Sequence, residues 1–192
     1  KFVLKCNHNS NIIMCTDKSS LNKEETIKKL NNDLKVDYYI KEREWPYKYV
    51  PRKIICEKYM ENVDNSNPLE YKVFCFNGIP KYVLVISGRF SKNGIAMDTY
   101  DMNWNYTDLI NGDCPRVGNV FEKPDCFGEI KRICELLAAG VPFLRVDFNF
   151  WNNRLYFGEL TFFDAAGFEH YHPDEWDNTL GELIELPKKY RR

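Results

Sequence analysis

The stretch "EYKVFCFNGIPKYVLVI", residues 70–86, constrains the fold most tightly. Two strand-forming runs meet at Asn77-Gly78, and Asn-Gly is the pair that best accepts positive φ at both central positions of a type I′ turn. An antiparallel hairpin is therefore expected here, with apolar residues on both sides of the turn.

A second pair of short strands is read around a turn in "FLRVDFNFWNNRLYFGELTFFD", residues 143–164. In its first strand Val146, Phe148 and Phe150 point one way, while Arg145, Asp147 and Asn149 point the other. In its second strand Leu155, Phe157, Glu159 and Thr161 share a face. The turn decides whether Asp147 and Glu159 meet. A two-residue Asn152-Asn153 turn pairs 147 with 158 and sends Glu159 to the opposite face, whereas a three-residue loop through Arg154 sets 147 opposite 159. Two carboxylates that close repel unless one keeps its proton or a cation sits between them. Hard oxygen ligands suit Mg²⁺ rather than zinc. The alternative is a solvated polar face with a neighbour contact between Arg145 and Asp147.

The remaining pattern mixes strands and helices without a regular βαβ alternation, which predicts an α+β fold. "FVL" at 2–4 and "IIMC" at 12–15 read as strands, and "KIICEKYM" at 53–60 as a buried strand running into a connector. A helix is expected over 23–35, with Asn22 as N-cap, Glu25 completing a capping box, and Ile27, Leu30 and Leu34 on one face. A second is expected near 127–139 from the spacing of Ile130, Ile133, Cys134 and Leu137, and a third near 177–185. The aromatic, basic segment 38–50 is broken by Pro46 and Pro51 and reads as irregular or edge structure. Residues 61–68 read as a turn-rich loop, and 98–126 show no clear period.

Lys plus Arg number 27 against 28 Asp plus Glu, so the net charge of −1 leaves no electrostatic footprint for nucleic acid. No apolar run approaches the roughly 18 residues of a membrane span. The seven cysteines are scattered, with no CxxC pair, which fits a reducing, cytoplasmic compartment better than a zinc site. Cys56, Cys75 and Cys134 lie in apolar runs and are expected to be buried. His170 and His172 read as loop histidines. The opening "KFVLKC" looks like the middle of a strand, so a region preceding it is expected.

The segments "FVLKCNH", "EREWPYKYVPRKIICEKYM", "EYKVFCFNGIPK", "RVDF" and "LYFGELTF", in this order, resemble the TupA-like ATP-grasp family of bacterial polysaccharide biosynthesis. The resemblance implies an ATP-grasp fold, two α+β lobes with nucleotide between them, normally preceded by an N-terminal domain that is expected to be missing from this sequence. Residues 1–60 would form the small lobe, incomplete at its start, and 61–192 the large lobe with the metal-binding hairpin 143–164. It also implies an ATP-dependent ligase that joins a carboxylate to an amine or hydroxyl through an acyl phosphate. Its cofactors would be ATP and Mg²⁺, its substrates a glycan or sugar acid and an acceptor.

Carried over by resemblance, Lys5 is the phosphate lysine. Glu57 and the backbone of Lys58, Tyr59 and Met60 hold adenine, and Glu70 takes the ribose hydroxyls. Lys72 is a second phosphate cation, Asp147 and Glu159 are the metal carboxylates, and Arg145 steadies charge on the intermediates. His8, in the phosphate loop, is a candidate contact to phosphate or substrate, and so is Arg89. The loop "HNSN" lacks the family's glycines, so closing on phosphate requires positive φ at Asn9 or Asn11. Thr161 stands where many ATP-grasp enzymes carry Asn, and its hydroxyl is a weaker metal ligand. Rival readings are a nucleotide- or glycan-binding module without ligase activity, with Trp45, Tyr47 and Tyr49 stacking on sugars, or a glycosyltransferase.

Overall fold

Asn77 and Gly78 take φ of 52° and 84°, the double positive that a type I′ turn demands. In the computed structural model, which describes residues 1–60, 68–88, 94–112 and 115–188, this turn joins the two central strands of a sheet. Most of the predicted loop 61–68, Arg89 and Cys114 lie outside the described residues. The architecture is α+β with antiparallel sheets. By contacts the chain divides into Lys1–Met60 and Glu61–Arg192.

In the first unit, β1 (Phe2–Cys6) pairs antiparallel with β2 (Ile12–Cys15) on one side and β3 (Ile54–Lys58) on the other. Helix α1 (Lys23–Lys35) starts where its cap predicts: the Asn22 side chain accepts the Glu25 N–H at 3.1 Å. Its buried positions are Leu30 and Asp33, while Ile27 of the expected apolar face is exposed. The buried face is the one that meets β1 and its following loop: Asp33 accepts a hydrogen bond from the Asn11 side chain in the β1–β2 loop, and the Leu30 carbonyl accepts the Cys6 thiol. The segment expected to be irregular holds a short α2 (Tyr38–Glu42) and a 3₁₀ turn at Trp45–Tyr49. Strand β3 is an edge strand and largely exposed, Cys56 included, so both were mispredicted as buried.

In the second unit a five-stranded sheet has the order β6-β5-β4-β8-β9. Its strands are β4 (Leu69–Phe76), β5 (Ile79–Ser87), β6 (Ala96–Asp101), β8 (Phe143–Trp151) and β9 (Arg154–Thr161). A small ribbon pairs β7 (Ile110–Asn111) with β10 (Tyr171–His172). Alternation along the strands builds two different faces. Tyr71, Val73, Cys75, Val83, Val85, Leu144, Val146 and Phe148 pack on helix α3 (Phe127–Ala138), which buries Phe127, Ile130, Cys134 and Ala138 against them. On the other face Phe74, Phe76, Leu84, Ile86 and Met97 pack with Leu109 and with Leu180 of α4 (Glu175–Glu182). That second face turns polar on β4, β8 and β9, where Lys72, Arg145 and Asp147 replace apolar residues. Among the described residues no helix is long and apolar enough to cross a membrane.

Candidate functional site

Strand β9 returns from β8 through a two-residue turn, with Trp151 opposite Arg154 and φ of 48° and 55° at Asn152 and Asn153. An unbroken ladder from that turn would pair 147 with 158. Instead the register shifts by one residue between Asp147 and Phe148, so Asp147 lies directly opposite Glu159 and Arg145 opposite Thr161. The expectation that a two-residue turn separates the two acids is thus corrected by a β-bulge. The bulge also splits the face assumed for β9: Leu155 and Phe157 pair with Phe150 and Phe148, while Glu159 and Thr161 join the polar side.

The polar side chains form one connected cluster. Arg145 grips Asp147 bidentately, Nε to Oδ1 at 2.8 Å and Nη2 to Oδ2 at 2.9 Å, the strongest geometry available to this pair. Lys72, opposite Asp147 on β4, donates to Oδ2 at 2.6 Å. Arg145 also donates through Nη1 to Asp164 and through Nη2 to the Thr161 hydroxyl at 3.1 Å. That hydroxyl donates in turn to Glu159 Oε1 at 3.1 Å. Arg145, Asp147 and Thr161 are each less than a tenth exposed, whereas Glu159 is open to solvent.

Three carboxylates, on Asp147, Glu159 and Asp164, thus surround two cations. Burial pulls the Arg145 pKa down, but the hydrogen bonds and charges of Asp147 and Asp164 outweigh it and hold the guanidinium above its ordinary value. Arg145 is therefore a fixed positive charge at any working pH. Burial, reinforced by the Asp164 carboxylate, pushes the Tyr171 phenol up.

The donor set suits a hard divalent cation in kind. Among the described residues Asp147 Oδ1 has a single donor on it, which leaves one lone pair. Glu159 Oε2 has no hydrogen bond among the described residues, and Thr161 adds a third oxygen. Among the described residues no three His, Cys, Asp or Glu side chains gather as a ready metal cage. Two protein carboxylates with the remaining positions left to water and phosphate is the arrangement Mg²⁺ ordinarily takes at phosphate sites.

The other expected residues fall as follows. Lys5 and Glu57 lie on neighbouring strands of the first unit and pair with each other at 2.9 Å. Lys58 ends β3, and Tyr59 and Met60 follow it outside any strand. His8 is buried, 2% exposed, in the first unit; its Nε2 donates to the Val36 carbonyl at 3.1 Å, while its Nδ1 is buried without a partner among the described residues. Positive φ is absent at Asn9 and Asn11, so the loop lacks the left-handed backbone that closing on phosphate was expected to need. Glu70 lies on β4 two residues from Lys72, on the same face.

Sequence reasoning missed Asp164 and Tyr171. Asp164 follows β9 in a turn where Ala165 and Ala166 both take left-handed φ, 44° and 57°, and its carboxylate also receives the Tyr171 hydroxyl at 3.5 Å. The available signal was its place, three residues past Thr161. Asp164 also lines a cavity of about 690 Å³ on this side of the sheet, together with Phe74, Phe76, Phe143, Tyr171 and Leu180.

A buried arginine, a lysine and facing acids on the polar part of an antiparallel sheet suit a polyanionic ligand carried with a hard cation. The chain belongs to the TupA-like ATP-grasp family: the family model, described as TupA-like ATPgrasp, matches residues 1–185. Membership points to an ATP-dependent enzyme, and the family typically uses ATP and Mg²⁺. No curated protein and no solved structure matches the chain.

Proposed function

We propose that the chain is an ATP-dependent ligase that joins a carboxylate to an amine or hydroxyl through an acyl phosphate, in surface polysaccharide biosynthesis. The observation that carries this reading is the register that sets Asp147 opposite Glu159, with Lys72 and Arg145 bonded to the same acid. A substrate carboxylate oxygen attacks the γ-phosphorus of ATP and ADP leaves. The acceptor's amine or hydroxyl then attacks the acyl carbon, phosphate departs, and the acceptor gives up a proton. Catalysis of this kind is mostly positioning and electrostatics.

Arg145, locked by Asp147, Asp164 and Thr161, supplies a fixed charge toward the phosphoryl and tetrahedral oxygens. Lys72 serves the phosphates by exchanging its Asp147 oxygen for a phosphate oxygen. Bound Mg²⁺ would neutralise phosphate charge, held by Asp147, Glu159 and the Thr161 hydroxyl. Glu70 is the proposed ribose contact. In the first unit Lys5 is the proposed phosphate lysine, with Glu57 and the backbone of residues 58–60 as adenine contacts. Binding there requires Lys5 and Glu57 to give up their ion pair. The cavity beside Asp164 is the proposed acceptor pocket.

The test is phosphate release from ATP across a panel of uronic acids and amines. Release that requires both partners is expected; release indifferent to the carboxylate, or none with any pair, overturns the reading. A second reading, glycan binding without ligation, is favoured by one feature. Trp45 and Tyr49 are half or more exposed, and the Lys48 ammonium lies 4.7 and 5.4 Å from their ring centres. Glycan binding that persists in Asp147→Asn with Glu159→Gln, without any response to ATP, would support it.

A further inference from the structure

We propose that Gly158 is the positioning residue of the carboxylate pair: as the unpaired residue of the bulge, it turns Glu159 onto the face of Asp147. The role of the facing acids rests on the ligase reading, but their facing does not.

The turn fixes the starting register. With Trp151 opposite Arg154 and Phe148 opposite Phe157, the next regular pair would be Asp147 with Gly158. Glu159 would then stand opposite Val146, which is fully buried beneath α3, and a carboxylate there would have to be neutral or paired. Leaving Gly158 unpaired advances β9 by one residue, so that Glu159 meets Asp147, Leu160 meets Val146 and Thr161 meets Arg145. One inserted residue thus corrects both faces at once, since side chains alternate with a period of two.

Space, not backbone sign, demands glycine here. The φ of Gly158 is not positive. A Cβ built on it would sit 3.0 Å from the Asp147 carbonyl oxygen, 3.4 Å from its carbon and 3.3 Å from Asn149 Nδ2. Two of those three atoms are backbone of the very residue the bulge serves. A side chain at 158 requires the Asp147 backbone to give by a few tenths of an ångström, and where it does not give, β9 is driven back to the unbroken ladder, which hides Glu159. Close backbone approach of this sort is a recognised reason for glycine within a strand.

The mechanism makes an unusual demand: deleting residue 158 should be milder than substituting it. Deletion keeps the two-residue turn and makes Glu159 the regular partner of Asp147, with Thr161 still opposite Arg145. A glycine needed only for stability would give the reverse order. The test uses Asp147→Cys with Glu159→Cys as the parent, because directly opposite Cα atoms, about 4.5–5.5 Å apart, fall within the roughly 4.4–6.8 Å range of disulfides. Oxidation, read by mass and peptide mapping, is expected to cross-link the parent and the 158-deleted chain, and to fall at least tenfold in yield with Gly158→Val. Gly158→Ala replaces Val, with the same expectation, if Val prevents folding. Equal cross-linking after substitution, or a folded deletion chain that does not cross-link, overturns the proposal. In the chain with both carboxylates intact, ATP affinity with and without Mg²⁺ gives the functional readout. Gly158→Val should abolish the Mg²⁺-dependent gain and the deletion should keep it. If the unsubstituted chain shows no such gain, the ligase reading fails while the cross-link still decides the role of Gly158.

Discussion

The two hairpins of the second unit use the same backbone device for different ends. Each closes on a two-residue turn, and each carries a one-residue register shift, at Phe74/Cys75 in β4–β5 and at Asp147/Phe148 in β8–β9. In β4–β5 both faces of the returning strand are apolar: Val83 and Val85 pack beside α3, while Leu84 and Ile86 pack on the other side. A slip there would exchange one apolar set for another. In β8–β9 a slip would carry Glu159 to the α3 side and bring Leu160 onto the charged one. The lesson is that a bulge matters in proportion to the chemical difference between the faces it sorts.

The largest test of this contrast is Asp147→Ala. It strips the buried Arg145 of its bidentate partner and Lys72 of its own, and breaking a buried pair costs about 3–5 kcal/mol. A lowered urea midpoint should show it, with much of the loss recovered when Arg145→Met is added. In the apolar hairpin, Leu84→Ala is expected to cost roughly 2–5 kcal/mol by leaving a cavity. Mg²⁺-dependent ATP binding should survive Leu84→Ala, and its loss would erase the distinction between the hairpins.

Turn variants sharpen the comparison further. Asn152→Ala forces a Cβ residue other than Asn to hold a φ of 48° and should cost about 1 kcal/mol in thermal or urea unfolding. Gly78→Ala, at φ 84°, should behave alike, because the two turns share one geometry. The smallest effect is alkaline. The Tyr171 pKa is raised by burial and by Asp164, so its contribution is complete below the unfolded phenol value near 10 and declines as pH climbs from there toward the folded value. Tyr171→Phe should flatten that decline, and an unchanged profile would remove Tyr171 from the cluster's electrostatics.

Much of the fold was legible wherever local chemistry decides. The Asn22 cap, the Asn77-Gly78 turn and the Ile130/Cys134 stripe of α3 each depend on residues within a turn or two of themselves. The alternation on β8 was equally plain, with Arg145 and Asp147 on one side and Val146 and Phe148 on the other. What stayed hidden depends on partners distant in sequence. Strand β6 buries Asp98, a poor strand residue, because the backbone N–H groups of Val117, Gly118 and Asn119 satisfy its carboxylate. The bulge depends on how close Gly158 comes to the Asp147 carbonyl, which no spacing within β9 reveals. Asp164 depends on two alanines in left-handed conformation, a choice their residue type argues against.

On the proposed ligase reading, Asp147 and Glu159, brought to one face, make ATP binding depend on Mg²⁺. Calorimetric titration of ATP, with and without Mg²⁺, tests it most directly when the unsubstituted chain is set beside Asp147→Asn with Glu159→Gln. Mg²⁺ is expected to tighten ATP binding at least tenfold in the unsubstituted chain and to do nothing measurable in the double variant. Binding indifferent to Mg²⁺, or a Mg²⁺ effect that survives loss of both carboxylates, would contradict it.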